Sequence, residues 1–441
     1  MKPQKIKIFV LIAAIISFLI CFNQDPYFIL LPLIPLVFGM LYYILIPRNV
    51  FFGAGLLTVT VVLFVRYIIY PIELKISDFN ILGSPDHASS AILLMLYEML
   101  AILMTIRFFA SRDNTSLHIE KVEVSHILPF ISVVIMLYII ILHPEAFANR
   151  RWVWQSNLIN EDTVAINGIL LQVASWCEFL ASMYLFSLLW RKYLSTHIHL
   201  YYLLSIVILF IPCLTYTGHS RLSLLIPLIS YVFFVYKIYG YKVKRVVGVV
   251  SVYMIIAITI LSIYKLLGSS RTSDLDYISD YSLLNSYFGG LDNVIMGLEA
   301  YERFGSSPYY FIVDSFRNMM GVSKYFEYIP STLQYFNTAV YSHLQGFSMD
   351  QIPPTIYQGL MYFGPVFSIV PSVLMTWCVC KADKVFAKTT NVMVAYLSLG
   401  FVVAVAWAIP GSYMHLTTRV FNYLLPLSLL VLACKYIKVR I

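Results

Sequence analysis

The chain has 441 residues, 60% of them hydrophobic and 12% charged, and a mean hydropathy of +0.80. That composition excludes a water-soluble fold of this size, which needs far more polar surface. The net charge of +8 is no sign of nucleic-acid binding, because membrane proteins retain Lys and Arg in their cytoplasmic loops.

The chain opens on "MKPQKIKIFVLIAAIISFLICF". It is built like a leader but has no small-residue cleavage site and more apolar runs follow, so it reads as an uncleaved first helix. Since about 20 helical residues cross the hydrocarbon core, hydropathy places spans near 6–22, 27–47, 50–72, 89–110, 125–143, 166–190, 196–213, 222–238, 246–267, 356–380, 392–410 and 419–434. The expected fold is therefore an all-α polytopic integral membrane protein of about twelve transmembrane helices. Taking the N-terminus as cytoplasmic puts basic residues in each short connection on that side: Lys2 to Lys7, Arg48, the 111–124 loop, Arg191 and Lys192, Lys237 to Arg245, Lys381 to Lys388, and the Lys435 to Arg440 tail. Both termini are then cytoplasmic by the positive-inside rule. The six cysteines lie in or beside apolar segments and read as core thiols, which supports neither a disulfide framework nor a zinc site.

The domain plan is one membrane domain in three stretches: helices one to nine over 1–267, a long loop over 268–352, and helices ten to twelve with a basic tail over 353–441. The loop faces the extracytoplasmic side and is rich in tyrosine, Tyr301 among them. Within it "LDNVIMGLEAYERF" sets Leu291, Ile295 and Leu298 at helical spacing, which predicts an amphipathic helix lying on the bundle. Loops beyond about 15 residues are functional or disordered, and this one is too aromatic for disorder.

On the extracytoplasmic side arginine outnumbers lysine: Arg66, Arg150, Arg151, Arg221, Arg271, Arg303, Arg317 and Arg419 against Lys75, Lys265 and Lys324. A topology anchor needs only charge, whereas the planar guanidinium grips phosphate in bidentate fashion. Pairing with loop acids is the plain alternative for any one of them; for Arg303 that acid is Glu299, four residues away on the predicted helix. Arg66 lies inside a span and must face the bundle, face a cavity or snorkel. Glu98 and Glu178 are intramembrane carboxylates and so either functional or paired with buried partners.

The stretch "YTGHSRLSLLIP" (216–227) falls at the exit of the seventh span and the start of the eighth. Ser220 is a good N-cap. The free N–H groups of that helix start, with Arg221 in its first turn, suit a phosphate or pyrophosphate at the membrane surface. A capped helix with a snorkelling arginine fits the same residues. Nucleotide-loop, dinucleotide and zinc-protease motifs are missing, so neither an ATP-driven pump nor a zinc protease is expected.

"TGHSRLSLL" resembles a T-G-S-R-x-x-L-type stretch of Wzy-type O-antigen polymerases and the related O-antigen ligases. "PPTIYQGLMYFGPVFSIV" (353–370) resembles the segment after the long loop in oligosaccharide-repeat-unit polymerases, through Pro354, Gly359, Phe363 and Gly364. His219 departs from the first pattern. The resemblance implies a GT-C-like glycosyltransferase of the bacterial inner membrane, multi-pass and active at its periplasmic face. It would act on undecaprenyl-pyrophosphate-linked glycans within membrane lipid, without cofactor, metal or nucleic acid, and with a Wzz-like chain-length regulator as partner. An acceptor sugar hydroxyl attacks the anomeric carbon of the donor and the lipid pyrophosphate leaves. Cations must meet that leaving group, a role given first to Arg221 and then to Arg66, Arg303 and Arg271, with Arg150, Arg151, Arg317 and Arg419 as further contacts. The base is sought among Glu299, Glu302, His219, His343 and His415. Gly359 and Gly364 also fit close helix packing. The alternatives are an O-antigen ligase, using the same donor on lipid A-core, and a lipid-linked oligosaccharide flippase, whose loops should be short.

Overall fold

The structure is a computed structural model. It describes residues 3–22, 25–79, 81–111, 127–143, 150–152, 168–217, 222–243, 246, 248–250, 252–253, 256, 283–343 and 352–436. These are almost wholly helical: α1 (Pro3–Cys21), α2 (Leu33–Leu45), α3 (Ala54–Ile76), α4 (Pro85–Phe109), α5 (Ile127–Leu142), α6 (Gly168–Thr196), α7 (His199–Leu214), α8 (Leu222–Tyr239), α9 (Leu283–Phe288), α10 (Leu291–Phe304), α11 (Pro308–Phe316), α12 (Thr332–His343), α13 (Thr355–Phe367), α14 (Val370–Lys388), α15 (Val392–Ala408) and α16 (Tyr413–Ala433). One short antiparallel ribbon pairs β1 (Arg150–Trp152) with β2 (Thr215–Thr217), in register Arg150 to Thr217 and Arg151 to Tyr216.

Each predicted span overlaps helix among the described residues, 356–380 as two helices and not one, except 246–267, most of which lies outside the described residues. Among the described residues five helices are long and apolar enough to cross a membrane, or six with α13 and α14 counted together. The protein is a helical, membrane-embedded chain. Its lipid-compatible surface is plain on α1, where Phe9, Ile12, Ile16 and Leu19 are all more than half exposed; so much exposed apolar area suits lipid rather than water.

Local chemistry explains where several helices stop and start. The C-cap of α2, Ile46, is extended (φ −70°, ψ 123°) because it precedes Pro47, and the buried Lys7 donates to its carbonyl at 2.7 Å, in keeping with a cation at a helix C-terminus. Gly53 cannot cap α3, so Asp383 accepts from Gly55 N and Leu56 N at 3.2 and 3.1 Å instead. Within α3, residues Val65–Ile69 wind as a π turn. At the head of α4, Ser84 accepts from Asp86 N and Pro85 opens the turn, which is where a proline costs no hydrogen bond.

The sequence reading makes 356–380 one span; the structure breaks it. Gly364 has φ 73° and ψ −176°, Pro365 follows with no N–H to offer, and α13 and α14 meet at 110°. Only glycine occupies that backbone region without strain. Gly359 sits where a Cβ would strike the carbonyl oxygen of Ser368, so the two halves approach closely at the bend.

The chain divides into two compact units. The first comprises Met1–Asn114, Ser273–Lys384 and Ala404–Val420; the second comprises Thr115–Thr272, Val385–Val403 and Phe421–Ile441. In the first unit α1 packs along α2, and α10 packs on α4, α12 and α13. Met296, Ala300, Phe336, Ala339, Val340, Tyr357 and Met361 form its core there, all at most 3% exposed. Each large apolar side chain so buried contributes roughly 1.5–3 kcal/mol. In the second unit α6 packs on α5 and α7, and Lys237 donates to the Phe386 carbonyl.

Candidate functional site

The described part of the long hydrophilic segment folds as α9, α10, α11 and α12. As the spacing predicts, α10 is amphipathic. Leu291 to Gly297 and Ala300 are buried, while Glu302 and Arg303 are exposed and Glu299 is half-buried. The buried end is tied down by polar contacts that hydropathy does not show. Asp292 accepts from Leu82 N at 3.0 Å and Gly83 N at 3.3 Å, and Asp292 N donates to the Tyr70 hydroxyl at 3.3 Å. Asn285 and Asn293 bond each other through side chain and backbone. These bonds orient the helix and present its last turns along the 82–87 turn.

There a carboxylate and an imidazole meet. Glu299 Oε1 accepts from Ser84 N at 2.6 Å, and Glu299 Oε2 lies 2.7 Å from His343 Nε2, at the end of α12. The side chains are 18% and 34% exposed, so the pair is held yet open to solvent. A carboxylate on one ring nitrogen favours the tautomer with its proton there, so in a neutral imidazole Nε2–H would face Glu299 and Nδ1 would hold the lone pair. One turn on, Glu302 Oε1 is 3.6 Å from His87 Nδ1. Arg303, in the last turn, stacks over Phe304 at 5.3 Å and has no carboxylate partner among the described residues. The expected Glu299–Arg303 pair is not formed; His343 takes Glu299 instead.

In the same unit a second polar group is fully buried. Asp314, on α11, accepts from the Tyr362 hydroxyl at 2.7 Å, from Thr332 N at 3.3 Å and from the Thr332 hydroxyl. Gln358 Nε2 donates to Thr332 Oγ1 at 3.1 Å, and Gln358 Oε1 accepts from Tyr413 N at 2.6 Å. Burial pushes the Asp314 carboxyl above the usual carboxylate range, and the bonds from Thr332 and Tyr362 only partly oppose it. With its oxygens occupied, Asp314 joins α11, α12, α13 and α16 and takes no part in exposed chemistry.

The remaining predicted residues fall as follows. Arg66 is wholly buried in the π turn of α3, with Nη2 2.9 Å from Glu98 Oε2, both side chains at 0% exposure. Ser372 donates to Glu98 Oε1 at 2.5 Å. The guanidinium neither snorkels nor meets an open surface, which removes it from direct contact with a surface ligand. An ion pair in a span is costly unless so matched, and breaking a buried pair costs about 3–5 kcal/mol. Glu178 is half-buried. Tyr301 turns toward the core cluster. Arg317 donates to the Ile329 carbonyl. On α16, His415 is exposed and Arg419 half-buried. Arg150 and Arg151 belong to β1, paired with β2 (Thr215–Thr217); Arg221, His219 and Arg271 lie outside the described residues.

Two participants were missed from sequence, His87 and Ser84. Their signal was the N-cap pattern "GSPDHA", which places a turn but names no partner. No protein-family model matches the chain, and no curated protein or solved structure is similar to it.

Proposed function

We propose that the protein polymerises undecaprenyl-pyrophosphate-linked oligosaccharide units into O-antigen or a similar surface polysaccharide, at the periplasmic face of the bacterial inner membrane. The observation that carries the reading is the Glu299–His343 pair at 2.7 Å, beside an exposed Arg303 one turn along the same helix. His343 Nδ1 takes the proton of the acceptor sugar hydroxyl as its oxygen attacks the anomeric carbon of the donor sugar. Glu299 stabilises the imidazolium that results. The bond from the anomeric carbon to the pyrophosphate oxygen breaks, and the growing negative charge is met by Arg303. Arg221 keeps the anion-gripping role implied by its resemblance to the polymerase stretch. The twelve-span path with both ends cytoplasmic belongs to the same proposal, supported by the basic residues at each short cytoplasmic connection.

Surface glycan from cells carrying His343→Ala or Arg221→Ala tests this, with the protein's membrane level checked in parallel. Loss of a general base lowers rate by about 10²–10⁴-fold, so both strains should show single-unit lipopolysaccharide and no long ladder. A normal ladder in either strain sinks the role of that residue. Core devoid of any O-unit on deletion of the gene indicates ligase or flippase instead.

A further inference from the structure

Helix α11 has a face that the polar network does not use. Val313, Asp314 and Ser315 are buried, whereas Tyr309, Ile312 and Phe316, at i, i+3 and i+7, are 48%, 47% and 37% exposed. The stripe continues past the helix through Met320 (43%), Tyr325 (70%) and Tyr328 (92%), with Lys324 over the Tyr325 ring at 5.0 Å. Such an apolar stripe is unusual on a water-facing loop.

Its height is fixed by the helix it stands on. Phe311 stacks on Tyr413, ring centres 5.4 Å apart, and Thr417 Oγ1 donates to the Asp314 carbonyl at 3.3 Å. Asn318 Nδ2 donates to Thr418 Oγ1 at 3.1 Å. Tyr413 is the first residue of α16, which is long and apolar enough to cross a membrane. The segment that carries the stripe is thus bonded, through Phe311, Asp314 and Asn318, to the first two turns of a helix long and apolar enough to cross a membrane. The ends of such a helix lie where hydrocarbon gives way to headgroups. Tyrosine and lysine are the residues enriched there, rings in the acyl boundary and polar tips in the headgroups.

We propose that Tyr309, Ile312, Phe316 and Tyr325 dock the 308–328 segment into the phospholipid interface, so that α11 lies in the bilayer surface. This rests on the chain being membrane-embedded and not on the glycan chemistry. The alternative occupants, a second copy of the chain or a protein partner, would hide the same residues from lipid.

The test is collision-probe spin labelling of the full chain in bilayers of phosphatidylethanolamine and phosphatidylglycerol. Nitroxides are placed at Ile312→Cys, Phe316→Cys and Tyr325→Cys in a variant whose own cysteines are replaced, with exposed Thr338→Cys on α12 as the aqueous reference. Oxygen should broaden the signal more than a water-soluble nickel chelate at 312 and 316, with the order inverted at 338. Chelate dominance at 312 and 316 overturns the proposal, as does suppression of both probes, which means protein covers the stripe. The unaltered protein gives a second readout: a phospholipid carrying a diazirine near its headgroup should label the 308–328 peptide. Its absence from the labelled peptides also overturns the docking.

Discussion

At the scale of single residues the first unit separates two kinds of carboxylate. Glu299 is partly exposed, with an imidazole on one oxygen and a backbone N–H on the other. Asp314 is sealed in, with two hydroxyls and an N–H. Because burial raises the folded-state pKa of Asp314 above its unfolded value of about 3.9, its contribution to stability is fully present below that value. It is lost as pH rises through the elevated folded value. Thermal unfolding of the purified protein should therefore show Asp314→Asn flattening the fall in midpoint that wild type displays above about pH 4; parallel curves for the two proteins would refute the assignment. Glu299 and His343 were both legible as candidates, but not as partners. They are 44 positions apart, and helical periodicity reports neighbours only within one element. Asp314 was invisible for the opposite reason: in "YYFIVDSF" it looks like any loop acid, and only packing shows that nothing polar is left for it but Thr332 and Tyr362.

Whole elements were easier to read. Apolar runs and the 3.6-residue period located α10 and the span-length helices, since those signals are local. What they did not disclose was the kink at Gly364 inside α13, just before its junction with α14. The composition of 356–380 stays apolar across it, and "FGPVF" marks a bend only once Gly364 is seen at positive φ. Among the described residues nothing but Ser306 Oγ, at 3.9 Å, lies near a Cβ built on Gly364, so a substitution there meets strain and not a clash with them. Gly364→Ala should cost about 1–3 kcal/mol, seen as a lower thermal midpoint with unchanged membrane insertion. An unchanged midpoint would mean that the break tolerates an ordinary residue. Gly359 differs, because its neighbour is the Ser368 backbone, which cannot move aside as a side chain can.

Across the molecule, the membrane class was legible from composition alone, because no soluble fold accommodates so little charge. The packing of the hydrophilic segment was not, since its tethers (Asp292 to the 82–83 turn, Glu299 to Ser84) join positions more than 200 residues apart. A further tether, from Asp292 N to the Tyr70 hydroxyl, depends on the π turn of α3. A π turn winds one extra residue into a helix, so everything beyond it is rotated by about 100° relative to an unbroken one. Tyr70, just past Val65–Ile69, owes to that offset the direction of its hydroxyl toward Asp292 N. Substitutions among Val65, Ile68 and Ile69 exchange one apolar surface for another, but deleting a single residue there straightens α3 and swings Tyr70 away from the head of α10. Such a deletion should abolish activity and expose the 82–87 turn to protease in a protein that still inserts, while conservative swaps at the same positions leave both intact; protection persisting after the deletion would contradict this. Reading-frame-preserving insertions and deletions, more than point changes, are thus the variation to which this chain is most vulnerable, in a helix whose apolar composition looks the most permissive.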